Sequence, residues 1–146
     1  MRKYLMIVAT MLLVLLIPMD VHAKEQYTLS EEEEVLLQQI AQAEAGNQGI
    51  GGMAFVMQTI MNRVYDENFP DTVQEVLEQE GQFATYTSNA YLEYQPNENS
   101  GKALWLMDIL ENRGQLYFEN PHGQQSTWHS RNLTKVFEYE DHKFYK

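Results

Sequence analysis

The sequence predicts an α+β fold in which several helices are followed by a small antiparallel sheet. Apolar residues recur at helical spacing in several segments between residues 30 and 114, and capping residues and glycines separate these segments. Short runs rich in aromatic and β-branched residues then occupy residues 115–145. Helices that are followed by strands, instead of alternating with them, are typical of α+β domains.

The first helix is expected to begin at Ser30, which is followed by four glutamates. Ser30 and Glu33 have the spacing of a capping box, and acidic residues in a first turn suit the positive end of a helix. The glutamate run therefore needs no catalytic explanation. The apolar stripe of this helix contains Leu37, Ile40 and Ala41, and Gly46 offers a stop.

Two further helices are expected before residue 82. The second should run from about Gly52 to Tyr65, and its core-facing stripe is Met53, Val56, Met57, Ile60 and Val64. The third should be short and should end near Glu80. Asp71 is its expected N-cap, with Gln74 completing the capping box and Gly81 stopping the helix.

Residues 82–98 lack regular periodicity and are expected to form a loop region that carries aromatic residues. A fourth helix should begin at Asn99 or Ser100 and end by Gly114. Three strands are then expected at residues 115–120, 134–139 and 142–145, with a turn at residues 140 and 141. The polar loop between the first two strands carries His122, Trp128 and His129.

The N-terminal residues have the layout of a secretory signal peptide. Arg2 and Lys3 precede an apolar run over residues 4–19, and Val21 and Ala23 occupy the positions expected before a cleavage site. The alternative is an uncleaved membrane anchor, but the run is shorter than the roughly 20 residues of a spanning helix. We therefore expect cleavage after Ala23 and a secreted protein located in the cell envelope.

Composition restricts the classes of partner and of chemistry. The chain has a net charge of −11, which disfavours binding to nucleic acid or to anionic lipid. It contains no cysteine, so thiol catalysis, cysteine metal sites and a cysteine-linked lipid anchor are excluded. An exported protein without cysteine is stable without disulfides.

Glu44 is the principal candidate for catalysis. The apolar stripe of the first helix, continued at helical spacing, places this carboxylate on the core-facing side and near the helix C-terminus. Loss of water and the negative helix end would both raise its pKa, and no lysine or arginine lies within four residues to oppose them. Such an acid can protonate a glycosidic oxygen. The alternative is a solvated carboxylate without a role.

A sugar-cleaving site also needs aromatic faces and polar side chains around the acid. Candidates for the cleft lining are Asn62, Gln82, Phe83 and Tyr86. Each also has a structural alternative: Phe83 fits a core position, and Asn62 fits a loop brace.

Several short motifs follow one another in a specific order: AEA at Ala43–Ala45, NRV at Asn62–Val64, FPDTV at Phe69–Val73, VLEQ at Val76–Gln79, QF at Gln82–Phe83, LYF at Leu116–Phe118 and DHKFY at Asp141–Tyr145. Their order and spacing resemble the cell wall hydrolase family of the spore cortex-lytic enzyme SleB and its relative CwlJ. The resemblance covers about Leu36 to Tyr145. With the expected signal peptide (1–23), this leaves a tail with the helix start (24–35) and a catalytic domain (36–146).

The resemblance implies a lysozyme-like domain that cleaves peptidoglycan between N-acetylmuramic acid and N-acetylglucosamine, usually as a lytic transglycosylase without a cofactor. Glu44 matches the glutamate that is the family's catalytic acid. A transglycosylase needs one carboxylate, whereas a hydrolase needs two at a defined separation. We expect no second carboxylate, because Asp66, Glu67 and Asp71 fall in a turn. Many members carry an acid four residues after the catalytic one, where this chain has Gln48.

Three alternatives remain. The chain could be a peptidoglycan-binding or regulatory protein without catalysis, or an amidase that cuts the stem peptide. It could also bind zinc through His122, His129 and His142, although the spacing in an irregular loop is unlike that of usual ligand pairs. We expect no metal, and we place His142 at the site as a hydrogen-bonded sheet residue.

Overall fold

The computed structural model describes residues 27–124 and 126–146. Its first helix, α1 (Glu31–Ala45), begins with the predicted capping box. Oγ of Ser30 accepts a hydrogen bond from the amide of Glu33, and the Ser30 amide donates to Oε2 of Glu33 at 2.9 Å. The glutamate run is therefore explained by capping and by the helix dipole.

The predicted signal peptide, with its cleavage site after Ala23, lies outside the described residues. Within the part of the chain that the structure describes, no helix is both long and apolar enough to span a bilayer. The boundary that we drew between residues 35 and 36 falls inside α1, which is continuous there.

A short 3-10 turn (Gly46–Gln48) links α1 to the second long helix, α2 (Gly49–Tyr65). Gly49 adopts φ 70°, a value that residues with a Cβ rarely adopt, so glycine is favoured where the chain reverses. The helix begins three residues before the predicted start. The predicted stripe on α2 is buried as expected: Met53, Val56, Met57, Ile60 and Val64.

The third helix, α3 (Val73–Leu77), is capped by Thr72, so the predicted cap at Asp71 is wrong by one residue. Oγ1 of Thr72 accepts a hydrogen bond from the amide of Glu75. Val73, Val76 and Leu77 of this helix are buried in the core, and their burial determines where the helix starts. The helix also ends before the predicted limit near Glu80.

The region predicted as loop contains one helical turn, α4 (Ala84–Thr87), and a 3-10 turn (Ala90–Glu93). Tyr86 stacks on Tyr91 at 5.2 Å between ring centroids and joins the two turns. Segments of four residues are too short to show a hydrophobic period, which explains why the prediction was wrong.

The last long helix, α5 (Glu98–Ile109), packs on α1 and α2. Asn97 caps it by accepting hydrogen bonds from the amides of Asn99 and Ser100 at 3.0 Å each. The helix ends at Ile109, before Gly114, and Gln58 of α2 donates to the carbonyls of Met107 and Leu110 near this end. These two bonds satisfy carbonyls that have no partner within the helix.

The sheet contains β1 (Tyr117–Glu119), β2 (Lys135–Tyr139) and β3 (His142–Tyr145). All pairs are antiparallel, and β3 lies between β1 and β2. The three strands were predicted, and the α+β class is confirmed. One short helix, α6 (Trp128–Asn132), was not predicted and lies in the polar loop between β1 and β2.

Aromatic rings and one buried cation join the sheet to the helices. Phe55 of α2 lies 4.8 Å from Phe137 and 5.6 Å from Phe144 between ring centroids. Nε of Arg63 donates to the carbonyl of Leu116 at 2.6 Å, and Nη2 donates to Oε1 of Gln82 at 2.8 Å. Arg63 thereby fixes the start of β1 and the segment after α3 against the end of α2.

Candidate active site

Glu44 lies in the last turn of α1 and continues the buried face of that helix. Leu37, Ile40 and Ala41 on this face have no exposed surface, and Glu44 itself is half-buried. Oγ1 of Thr85 donates a hydrogen bond of 2.5 Å to Oε1 of Glu44. The helical periodicity therefore predicted correctly that Glu44 lies on the buried face of α1.

Burial raises the pKa of Glu44 above its ordinary value. Hydrogen bonds from the hydroxyl and the backbone amide of Thr85 lower it in part, but the loss of water outweighs them. The increase in the pKa of Glu44 agrees with the expectation from the sequence. A carboxylic acid that keeps its proton closer to neutral pH is suited to general acid catalysis.

Glu44 opens onto a groove of about 320 Å³ that we call the Glu44 groove. It is lined by Glu44, Asn47, Gln82, Phe118, Glu119, Asn120, His122 and His142. Two of the predicted site residues, Gln82 and His142, are in this set. The lining combines one apolar ring with amides and imidazoles, which is suitable for polyhydroxylated ligands.

His142 is only 4% exposed, and its Nδ1 has no hydrogen-bond partner among the described residues. The predicted hydrogen bond to this residue is therefore absent at Nδ1. Burial lowers the pKa of His142, while Asp141 raises it and His122 lowers it. His142 therefore lines the Glu44 groove, but its Nδ1 is buried and is not accessible to a ligand in this structure, although buried polar atoms are normally paired.

Glu119 is a second carboxylate in the same groove, which the sequence argument missed. Its Oε1 accepts hydrogen bonds of 2.7 Å from Tyr145 and from Thr127, and its Oε2 lies 3.1 Å from Nδ1 of His129. Burial alone would raise the pKa of Glu119, but these hydrogen bonds and His129 outweigh it and hold the pKa below its ordinary value. The expectation that no second carboxylate approaches the site is wrong.

Three of the predicted site residues do not line the Glu44 groove. Asn62 donates to Oδ1 of Asn112 and to the carbonyl of Gln115, so it braces the segment after α5. Phe83 is 1% exposed and packs in the core beside Phe118. Tyr86 is occupied by its stacking partner Tyr91. For Asn62 and Phe83 the structural alternatives were correct.

A larger cavity of about 590 Å³ lies elsewhere and includes Asn62 in its wall. It borders Tyr27, the first described residue, and its two carboxylates, Glu34 and Asp108, are solvent-exposed. Exposed carboxylates have no environment that would tune them for acid catalysis. The smaller Glu44 groove is therefore the better candidate.

Gln48 lies four residues after Glu44, at the position where the resemblance implies an acid in many family members. It is 5% exposed, its Oε1 accepts from the amide of Asp141 at 2.8 Å, and its Nε2 donates to Oδ2 of Asp141 at 3.3 Å. Gln48 therefore holds the turn after α1 against the β2–β3 turn and does not line the Glu44 groove.

The three histidines considered for zinc do not converge. His122 and His142 line the Glu44 groove, whereas His129 does not line it and instead contacts Oε2 of Glu119. Across residues 27–124 and 126–146, no group of three or more potential ligands has the arrangement of a metal site.

Comparison with known proteins agrees with the fold and the motifs. Residues 47–145 match the family model described as cell wall hydrolase, and Glu44 lies just before that range. Among solved structures, the catalytic domain of the germination-specific lytic transglycosylase SleB from Bacillus anthracis is 23% identical, with a TM-score of 0.70, over 83% of this chain and 99% of that chain.

A second solved structure, the catalytic domain of the Bacillus cereus SleB protein, is also 23% identical. Its TM-score is 0.62, over 77% of this chain and 88% of that chain. No curated protein matches. The two structures share the fold of this chain, and the expected lysozyme-like α+β class is confirmed. The chain belongs to the cell wall hydrolase family, a family of peptidoglycan-cleaving enzymes.

Proposed function

We propose that the protein cleaves the glycan strands of peptidoglycan at the bond between N-acetylmuramic acid and N-acetylglucosamine, as a lytic transglycosylase. One observation carries this proposal: Glu44 is half-buried, has a raised pKa and lies in the wall of a groove. The two SleB structures with the same fold, one of which is described as a lytic transglycosylase, support it.

Glu44 performs both proton transfers in this scheme. Its carboxylic acid gives a proton to the glycosidic oxygen as the bond to the muramic acid anomeric carbon breaks. The resulting carboxylate then takes the proton from the 6-hydroxyl of the same sugar, and that oxygen bonds to the anomeric carbon. Glu44 regains its proton, no water is consumed, and the product carries an anhydro-muramic end.

Polar side chains around Glu44 hold the sugar in place. Asn47, Gln82 and Asn120 offer amides to hydroxyl and acetamido groups, and the ring of His142 lines the same groove. Phe118 provides an apolar surface for a ring face. Fixed hydrogen-bond partners of this kind position a substrate for reaction.

A hydrolase is the second candidate, because Glu119 places another carboxylate in the groove. Hydrolases use two carboxyl groups, one as acid and the other as base or nucleophile. Both oxygens of Glu119 already receive contacts from Tyr145, Thr127 or His129, which weakens it as a base for water. The transglycosylase reaction therefore fits the geometry better.

Mass spectrometry of digested peptidoglycan separates these possibilities. Anhydro-muramic ends indicate a transglycosylase, and reducing ends indicate a hydrolase. Free stem peptides indicate the amidase alternative, and binding without any product indicates a regulatory protein. Reducing ends would overturn the transglycosylase assignment in favour of the hydrolase, and either of the last two results would overturn glycan cleavage itself.

The substitution Glu44→Gln tests the catalytic role. We expect a folded protein whose rate on purified sacculi falls roughly 10²–10⁴-fold, the usual contribution of a general acid. Glu32→Gln is the matched control, because Glu32 is exposed in the first turn of the same helix. Equal activity of the two variants would exclude Glu44 as the acid.

We also propose that the protein is secreted with removal of residues 1–23. N-terminal sequencing of the protein recovered from the envelope and the medium tests this. Lys24 at the N-terminus is the expected result, and an intact Met1 would indicate a membrane anchor.

A further inference from the structure

A second groove, which we call the Trp128 groove, adjoins the Glu44 groove and has a volume of about 420 Å³. Its wall includes Arg63, Tyr117, Trp128 and His129. Two further residues, Gln82 and Phe118, belong to the walls of both grooves. A ligand that extends beyond the Glu44 groove can therefore continue into this one.

Hydrogen bonds to Glu119 fix Trp128 relative to the Glu44 groove. Trp128 is the first residue of α6, which Thr127 caps by accepting from the amide of Ser130. The same Thr127 hydroxyl donates to Glu119, and His129 contacts the other oxygen of that carboxylate. Glu119 thus joins a wall of the Glu44 groove to both neighbours of Trp128.

The Trp128 ring contacts His129 and is otherwise largely exposed. Its centroid lies 5.5 Å from that of His129, with an interplanar angle of 89°, and the residue is 56% exposed. The other tryptophan of the chain, Trp105 on α5, is 65% exposed but lines neither groove. Trp128 therefore offers an indole surface at a groove, where an aromatic face can pack against a ligand.

A polar donor lies between the two grooves. Oε1 of Gln82 accepts from Nη2 of Arg63, so Nε2 is the Gln82 atom that can donate to a ligand. The guanidinium is itself fixed, since Arg63 is 2% exposed and lies 4.9 Å from the centroid of the Tyr117 ring. An aromatic platform beside a fixed amide donor suits a sugar ring, which has an apolar face and polar edges.

We propose that the Trp128 groove is a subsite that binds an N-acetylhexosamine ring of the same glycan strand that is cleaved at Glu44. The sugar ring packs on the indole of Trp128, and Gln82 donates to a hydroxyl or acetamido oxygen. This inference rests on the proposed function, because it treats the strand as the common ligand of both grooves.

The first test compares Trp128→Ala with Trp105→Ala in the full chain. On glycan strands of several disaccharides, Trp128→Ala should lower kcat/KM about tenfold, mainly through KM, which corresponds to about 1.4 kcal/mol. Trp105→Ala should leave kcat/KM unchanged, and Trp128→Phe should keep most of the wild-type value. Equal kcat/KM for the two alanine variants, or a loss in kcat alone, would overturn the subsite.

The second test reads binding without cleavage. In Glu44→Gln/Trp105→Phe, Trp128 is the sole tryptophan, so its fluorescence reports on this groove. Titration with soluble glycan strands should give a saturable emission change, and unchanged emission would contradict the subsite. If the wild type releases no glycan product, the proposed cleavage fails, whereas a saturable emission change still supports the sugar subsite.

Discussion

The hydroxyl of Thr85 donates a hydrogen bond of 2.5 Å to the carboxylate of Glu44 and connects α4 to the end of α1. Both this bond and one from the Thr85 backbone amide lower the pKa of Glu44 against the larger effect of burial. The pKa of the proposed acid is therefore set by two opposing effects, burial and hydrogen bonding from Thr85. The hydrogen bond from the Thr85 hydroxyl can be removed by substitution.

Thr85→Val should raise the pKa of Glu44 further, because it removes the hydroxyl that favours the carboxylate and keeps the side-chain volume. Since the protonated acid is the active form, the basic limb of the pH profile of kcat/KM should move to higher pH. Thr87→Val is the control, because the Thr87 hydroxyl donates to the carbonyls of Phe83 and Ala84 and, among the described residues, not to Glu44. A basic limb that stays in place or moves down would contradict this assignment.

Glu44→Gln should be more stable than the wild type at about pH 7. The pKa of Glu44 is raised on folding, so the folded state holds the proton more tightly than the unfolded state, whose pKa is about 4.3. The free energy of unfolding of the wild type therefore falls as the pH rises through the raised pKa, and glutamine does not have this loss. Urea denaturation should show a larger advantage for the variant at about pH 7 than at about pH 4. An advantage that does not depend on pH would refute the linkage.

Gly52→Ala should disturb the turn that follows α1. A Cβ at Gly52 would lie 2.4 Å from Cβ of Gln48, which is too close to be accommodated without a backbone shift. Because Gln48 anchors this turn to Asp141, we expect a loss of about 1–3 kcal/mol in the free energy of unfolding and reduced activity.

The matched control for this substitution is Gly101→Ala in α5. The nearest atom to its Cβ would be Oε1 of Gln38 at 3.8 Å, an ordinary contact. Alanine is the better helix former by about 1 kcal/mol, so this variant should be more stable than the wild type. Similar thermal denaturation midpoints for the two variants would show that the Gly52 contact is unimportant.

Gln58→Leu should destabilise the core by about 1–3 kcal/mol. Nε2 of Gln115, a fully buried residue, donates to Oε1 of Gln58 at 2.8 Å, and Gln58 donates to two carbonyls of the α5 end. Leucine would leave these buried groups unpaired. Gln74→Leu, at an exposed position, should change the stability by less than about 0.5 kcal/mol, and urea denaturation compares the two.

The sequence predicted those features of the fold that depend on local patterns. The capping box at Ser30, the buried stripe of α2 and the three strands are each encoded within a few consecutive turns or residues. The position of Glu44 on a buried face follows from the same periodicity. A period can be recognised only in a segment long enough to repeat it, so α4 and α6 were missed.

The sequence by itself therefore determined the α+β class, the family and the candidate acid. The tertiary structure decided which side chains surround that acid. Glu119 and Thr85 lie 75 and 41 residues from Glu44 in the chain, and packing of β1 against α2 and of α4 against α1 brings them to the same groove or into contact with Glu44. Packing also assigned Phe83 to the core and Asn62 to a brace, because burial and hydrogen-bond partners depend on contacts between distant segments.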